Sequence, residues 1–264
     1  MKVEFITMAD FEIADPKSVF RGLTYGQWVA VWYNNLMSDK PDIVYREGKN
    51  VVFLRGNVEF SYEKQEEPKN RAFSSMTKEQ RIKIQEDTAV FVPVISTMFA
   101  LGDDYQGQAL NDELSMRLAA RRDTVNGGEI GVQIRKKPEN NGKKLVDDLN
   151  DYYIETPLFP ASVSEKSHIR YTIESPIEPG QYQALVVGVF VIISSLSVGM
   201  YRLSFYGRGV GRYLTRSVYD IEVTKGKGKL VDVSDPRGEG FLPEQQQVMD
   251  FVAGWKEKNP TKET

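Results

Sequence analysis

Over most of this 264-residue chain, apolar and polar positions alternate in short stretches, and that period of two predicts strands. Residues 2–7 (KVEFIT) open the series. Residues 50–55 (NVVFLR) and 57–62 (NVEFSY) flank Gly56 and predict a hairpin or a bulged pair. Residues 89–96 (AVFVPVIS) predict a buried strand, and Pro93 inside it requires an edge position or a bulge. Strand patterns then recur at 129–136, 152–155, 169–173, 182–193, 199–206, 213–223 and 230–233. Turn signals at Pro176, Pro179-Gly180, 207–211 and 225–229 separate most of them. Within 182–193 the alternation puts Val187, Val189, Val191 and Ile193 on one face.

Three segments follow the helical period instead. In residues 25–37, Tyr25, Trp28, Val29, Trp32, Leu36 and Met37 form one broad face, and Thr24 with Gln27 reads as a capping box. Pro41 sets the far limit of that helix. Residues 111–124 predict a second helix, with Leu114, Met116, Leu118 and Ala119 partly inward. Residues 243–255 predict a third, with Pro243 in its first turn and a stripe of Val248, Phe251, Val252 and Trp255. The tail from Lys256 is polar.

Many short strands with few helices predict a mainly β fold, an antiparallel β-sandwich or jelly-roll-like domain with two or three inserted or flanking helices. Residues 1–240 are expected to form that single domain, and residues 241–264 a C-terminal helix and polar tail. The βαβ alternation of a parallel sheet is missing, which disfavours Rossmann and barrel enzymes. No solenoid or propeller period is found.

Composition narrows the chemistry. With 41% hydrophobic residues the chain has enough apolar material for a sizeable core. It has no cysteine, so disulfides, thiolate metal sites and a cysteine nucleophile are excluded, and its one histidine permits no multi-histidine metal site. No cofactor is expected. A net charge of -3 makes nucleic acid an unfavoured partner. Early acids at Glu4, Asp10, Glu12 and Asp15 break any signal-like apolar run. The longest apolar run, 184–193, is about half of the ~20 residues a membrane helix needs, so no membrane insertion is expected.

Four groups of residues invite a chemical reading. Trp28, Trp32 and Tyr33 offer a sugar-stacking platform, but their helical spacing fits a core anchor better. The carboxylates Asp103, Asp104, Asp112 and Glu113 suit glycoside hydrolysis or calcium binding, but match no EF-hand spacing and fit a solvated loop entering a helix. Gly207-Arg208-Gly209-Val210-Gly211-Arg212 resembles a phosphate-cradling loop, yet it lies between two strands and fits a hairpin tip. Arg208 and Arg212 would then point outward to a partner. His168, in Glu165-Lys166-Ser167-His168, reads as a turn entering a strand. No G-x-S-x-G elbow occurs.

Several motifs in a fixed order resemble a poorly characterised microbial β-sandwich family. Gly22-Leu23-Thr24-Tyr25-Gly26-Gln27-Trp28 followed by Trp32-Tyr33 is similar to its G-x-T-Y-x-x-W-x-x-x-W-W opening. Residues 51–56 (VVFLRG), 91–94 (FVPV), 199–205 (GMYRLSF) and 219–223 (YDIEV) resemble its later strands. The resemblance covers roughly residues 20–224. It implies a β-sandwich with an aromatic helix packed on it, and it brings no catalytic mechanism. Family members usually look exported and often contain cysteine, and this chain departs from both.

These observations favour a non-enzymatic structural subunit of a larger assembly, most of all a virion protein of the capsid, decoration or tail-associated kind, assembled in the host cytoplasm. Its partners would be other protein subunits, including copies of itself. The expected interface residues are Phe251, Trp255, Arg208 and Arg212, aromatic anchors with charged rims. The competing expectation is a carbohydrate-binding or carbohydrate-acting protein that uses the aromatic platform and the acidic loop.

Overall fold

The computed structural model describes residues 10–38, 44–45, 51–54, 57–60, 80–105, 107–125, 130–137, 143–144, 149–165, 178–208 and 213–226. The strands expected at 2–7, 169–173 and 230–233, the helix at 243–255 and the tail lie outside these residues.

In chain order, β1 (Phe11–Ile13) leads to helix α1 (Tyr25–Leu36), then β2 (Val44–Tyr45), β3 (Val51–Phe53), β4 (Asn57–Phe60), β5 (Gln80–Gln85) and β6 (Ala89–Ala100). A small hairpin, β7 (Asp104–Tyr105) and β8 (Gln108–Ala109), precedes helix α2 (Glu113–Val125). Next come β9 (Ile130–Lys137) and β10 (Lys143–Lys144), then a 3-10 turn, Asn150–Tyr152, that enters β11 (Tyr153–Glu155). The chain continues through β12 (Phe159–Val163), β13 (Gly180–Leu196), β14 (Gly199–Arg208) and β15 (Tyr213–Thr224). The fold is mainly β, as the alternation predicts.

A seven-stranded sheet is organised by β13. One edge of β13 pairs with β6, beyond which lie β3 and β2. Its other edge pairs in succession with β12, β11 and β1. The second sheet, of six strands, runs β10-β9-β14-β15, and the far edge of β15 is shared by β4 and β5. Pairing is not wholly antiparallel, because β3 with β6 and β5 with β15 are parallel.

The sequence expectation for residues 50–62 is corrected here. Strands β3 and β4 do not form a hairpin; they belong to different sheets. All three residues of β3 are buried, so both of its faces are covered, and it sits between β2 and β6. An unbroken apolar run fits that interior position. The alternating sequence of β4 pairs instead with the end of β15.

Each face of the first sheet has its own cover. Helix α1 lies on one face, where Trp28, Trp32 and Tyr33 join Phe53, Phe91, Phe159, Val186 and Phe190 in a common core. The opposite face is divided. Val189, Val191 and Ile193 of β13 meet Tyr201, Leu203, Phe205 and Ile221 of the second sheet, while Leu185 and Val187 meet Met116, Ala119 and Ala120 of α2. The expected common face of Val187, Val189, Val191 and Ile193 is thus present, with two different partners.

Pro93 resolves as a bulge. Phe190 pairs with Pro93 and Val189 with Ile95, leaving Val94 as the extra residue. The bulge flips the inward parity of β6: Val90, Val92 and Val94 point toward the second sheet before it, and Ile95 does so after it. Two glycines make room for the displaced backbone. A Cβ at Gly188 would run into the Ile95 carbonyl oxygen and Ser96 Cα, and one at Gly207 would lie 2.7 Å from Ile95 Cβ.

Helix α1 begins where the capping box predicts. Thr24 Oγ1 accepts from Gln27 N at 3.3 Å, and Gln27 Oε1 accepts from Thr24 N at 2.9 Å. In α2 the expected inward set is corrected. Met116 and Ala119 are buried, but Leu114 is 65% exposed and Leu118 55%, because Ala120 takes the inward place beside Met116.

Candidate functional site

The aromatic motif is a packing device. Trp28 Nε1 donates to Phe20 O at 2.9 Å, and Trp32 Nε1 donates to Leu54 O at 3.3 Å. The Tyr25 hydroxyl donates to Ala14 O at 2.8 Å and accepts from Ile192 N at 3.2 Å, stitching α1 to β13. Asn34 holds the outer edge of β12, accepting from Ser162 N at 2.9 Å and donating to Pro160 O at 3.4 Å. Trp32 stacks on Phe91 and meets Phe190 edge-on, with centroids 6.0 and 5.7 Å away. Trp28, Trp32 and Tyr33 are at most 6% exposed. Sugar stacking needs an open ring face, and these rings are covered on both sides by the core, so the stacking expectation is corrected to a structural role.

The acidic loop separates into local caps. Asp103 Oδ2 accepts from Ala100 N at 2.6 Å at the end of β6, and burial pushes its carboxyl above the usual carboxylate range. Asp104 Oδ1 accepts from Gly107 N in the β7–β8 turn. Asp112 caps α2, accepting from Ser115 N at 2.8 Å, and Glu113 pairs with Arg117 within the helix. Each carboxylate has its own local backbone or helix partner. Among the described residues, no group of three or more His, Asp or Glu side chains is placed to hold a metal ion.

The glycine loop joins β14 to β15, whose pairing continues to Arg208 opposite Leu214. That is hairpin geometry, with no helix following for a phosphate. Arg212, His168, Phe251 and Trp255 lie outside the described residues, and Arg208 is described only as a strand position.

Three polar clusters escaped the sequence reading. In the first, Ser197, at the turn between β13 and β14, has its Oγ 2.6 Å from the Tyr201 hydroxyl and accepts from Lys136 Nζ at 3.1 Å. Lys136 also donates to Asp10 Oδ1 at 2.6 Å. Serine beside lysine and tyrosine has the residue types of a nucleophilic site. The hydrogen bond to Asp10, however, raises Lys136 above its ordinary value, so the amine stays protonated and supplies no base. The cluster works as a clamp joining β1, β9 and the β13–β14 turn.

In the second cluster, Glu155 of β11 receives Arg121 Nη2 and Arg117 Nη1, both at 2.8 Å. Arg121 first, then Arg117, hold its carboxyl below the usual range against the opposing effect of burial. This ties α2 to the first sheet. In the third, Asp220 of β15 takes Arg202 Nε at 2.8 Å, Arg202 Nη2 at 3.1 Å and Lys137 Nζ at 2.9 Å. The Arg202 bonds, opposed by burial and reinforced by Lys137, bring its carboxyl down to about 2. Only the strand register reveals this trio: Arg202 lies opposite Asp220 although they are far apart in sequence.

The remaining candidates are surfaces. Leu114 and Leu118 stand one turn apart on the outer side of α2. The outer face of the second sheet displays charged residues with Met200 and Tyr206, 41% and 37% exposed. Among the described residues, no helix is long and apolar enough to cross a membrane. No protein-family model matches this chain, and no curated protein does either.

Proposed function

We propose that this chain is a structural subunit of a larger assembly, working by contact with other protein subunits, copies of itself among them. The observation that carries this reading is the outer side of α2. Leu114 and Leu118 are the two most exposed leucines of the described residues, at 65% and 55%. They are neighbours on one helix face, flanked by the salt-bridged Arg117 and Arg121. An apolar centre with a charged rim is the anatomy of a protein interface. The three polar clusters support the reading as well, since each joins elements within the subunit and stiffens it.

A virion is the assembly we propose, with the chain as a capsid, decoration or tail-associated component, by analogy with the two-sheet β modules used in viral particles. Sedimentation velocity of wild type and Leu114→Glu/Leu118→Glu tests the contact. The wild type should associate as concentration rises, and the double variant should not, with an unchanged circular-dichroism spectrum. A wild type that stays monomeric with itself and with particle components would sink the reading.

A further inference from the structure

Strand β12 is joined to the first sheet through β13. Its opposite edge is taken up by α1. Asn34 of α1 is 7% exposed and uses both ends of its amide there: Oδ1 accepts from Ser162 N at 2.9 Å, and Nδ2 donates to Pro160 O at 3.4 Å. Nδ2 also donates to Ala30 O at 3.1 Å, one turn back in the helix. At the helix end, Met37 O accepts from Ser164 N at 3.0 Å. Backbone groups of alternate residues in a strand point to the same side, so positions 160, 162 and 164 form the edge turned away from β13. Pro160 brings no N–H to that edge.

Packing does not require an amide at position 34. Asparagine is a weaker helix former than leucine, and its buried amide has to be matched with partners, whereas a leucine side chain of similar size has no polar group to match. The two groups that Asn34 holds have a second use. In an antiparallel pair centred on Ala161, Ser162 N of each strand would donate to Pro160 O of the other. Two copies of β12 would join in this way about a two-fold axis. Strand edges are where the sheets of separate molecules add to one another, and native proteins block them.

We infer that Asn34 guards this edge: its amide stands in for one residue of a neighbouring strand and keeps β12 from pairing with β12 of a second copy. The guard is separate from the α2 contact proposed above and does not depend on it.

Asn34→Leu, Ser162→Pro and the two combined test it, each made in the Leu114→Glu/Leu118→Glu parent so that the α2 contact does not enter the reading. Ser162→Pro removes a donor from an outward position, which an edge strand tolerates. Alone it should keep the parent's circular-dichroism spectrum and sedimentation. Asn34→Leu should keep that spectrum too. In dilute solution its Ser162 amide hydrogen should exchange roughly tenfold faster than in the parent. As concentration rises, sedimentation velocity should show an added dimer in which that amide is protected again. Combining Asn34→Leu with Ser162→Pro should remove the added dimer. If Asn34→Leu shows only the parent's species and the parent's exchange, the amide guards nothing and the inference is wrong. It is equally wrong if the added association persists in the combined variant, because the contact then lies elsewhere. Loss of the fold in Ser162→Pro alone would show that this nitrogen serves β13, and would also overturn it.

Discussion

Both tryptophans of α1 combine a buried ring with a satisfied N–H, since each indole nitrogen donates to a backbone carbonyl of a neighbouring segment. Replacing either by alanine removes a core aromatic, and it takes the indole donor from Phe20 O, which keeps Leu23 N, or from Leu54 O. Trp28→Ala or Trp32→Ala should each cost about 3–5 kcal/mol, read as a lower urea midpoint. Unchanged midpoints would show that the rings do not carry the core. Asp220 makes a pH prediction. Its carboxyl has a folded value of about 2 against an ordinary 3.8, so its contribution is present above the ordinary value and lost as pH falls from there through about 2. The shift corresponds to up to about 2 kcal/mol, reduced by solvent screening at the partly exposed Lys137. Asp220→Asn should lower stability at neutral pH and flatten the acid limb of stability against pH. An identical acid limb in the variant would refute this. These residues differ in how far sequence reveals them. The capping box, the tryptophan spacing and Pro93 act within a few residues and are legible. The Arg202–Asp220 pair depends on strand register, which no local pattern states.

At the scale of elements, the bulge in β6 explains features that alternation alone misreads. Val94 is an extra residue, so the face that β6 turns toward the second sheet changes parity within one strand. A reader of the sequence sees that Pro93 needs a bulge, but not which neighbours yield to it. Those neighbours are Gly188 on β13 and Gly207 on β14. At Gly188 the obstruction is β6 backbone, which cannot rotate aside as a side chain can. Gly188→Ala should therefore cost about 1–3 kcal/mol by overpacking. Thermal denaturation against wild type checks it, and a neutral effect would mean that β6 and β13 separate more easily than their pairing implies. The β3–β4 error has a similar origin. Short strands around a turn signal look like a hairpin locally, and only the burial of β3 on both faces shows that its partners come from elsewhere. The misplacement of Leu114 and Leu118 arises because α2 is weakly amphipathic: small Ala119 and Ala120 face the sheet, and size alone pointed to the leucines.

For the whole molecule, the described cores unite α1, both sheets and α2. On the expectation that residues 241–264 form a helix and tail apart from the domain of residues 1–240, a chain ending at residue 242 should keep the strand-rich circular-dichroism spectrum and a cooperative melt. Its association then separates two sources of assembly. Phe251 and Trp255 are the anchors expected from the sequence of the C-terminal segment, whereas Leu114 and Leu118 are those of the α2 surface. If the truncated chain associates as the full chain does and Leu114→Glu/Leu118→Glu abolishes that association, α2 carries the contact. If truncation alone abolishes association while the melt is retained, the C-terminal segment carries it, and the α2 contact is wrong while the assembly reading stands. A truncated chain that loses its cooperative melt would show that residues 243–264 complete the core and would overturn the division of the chain at residue 240.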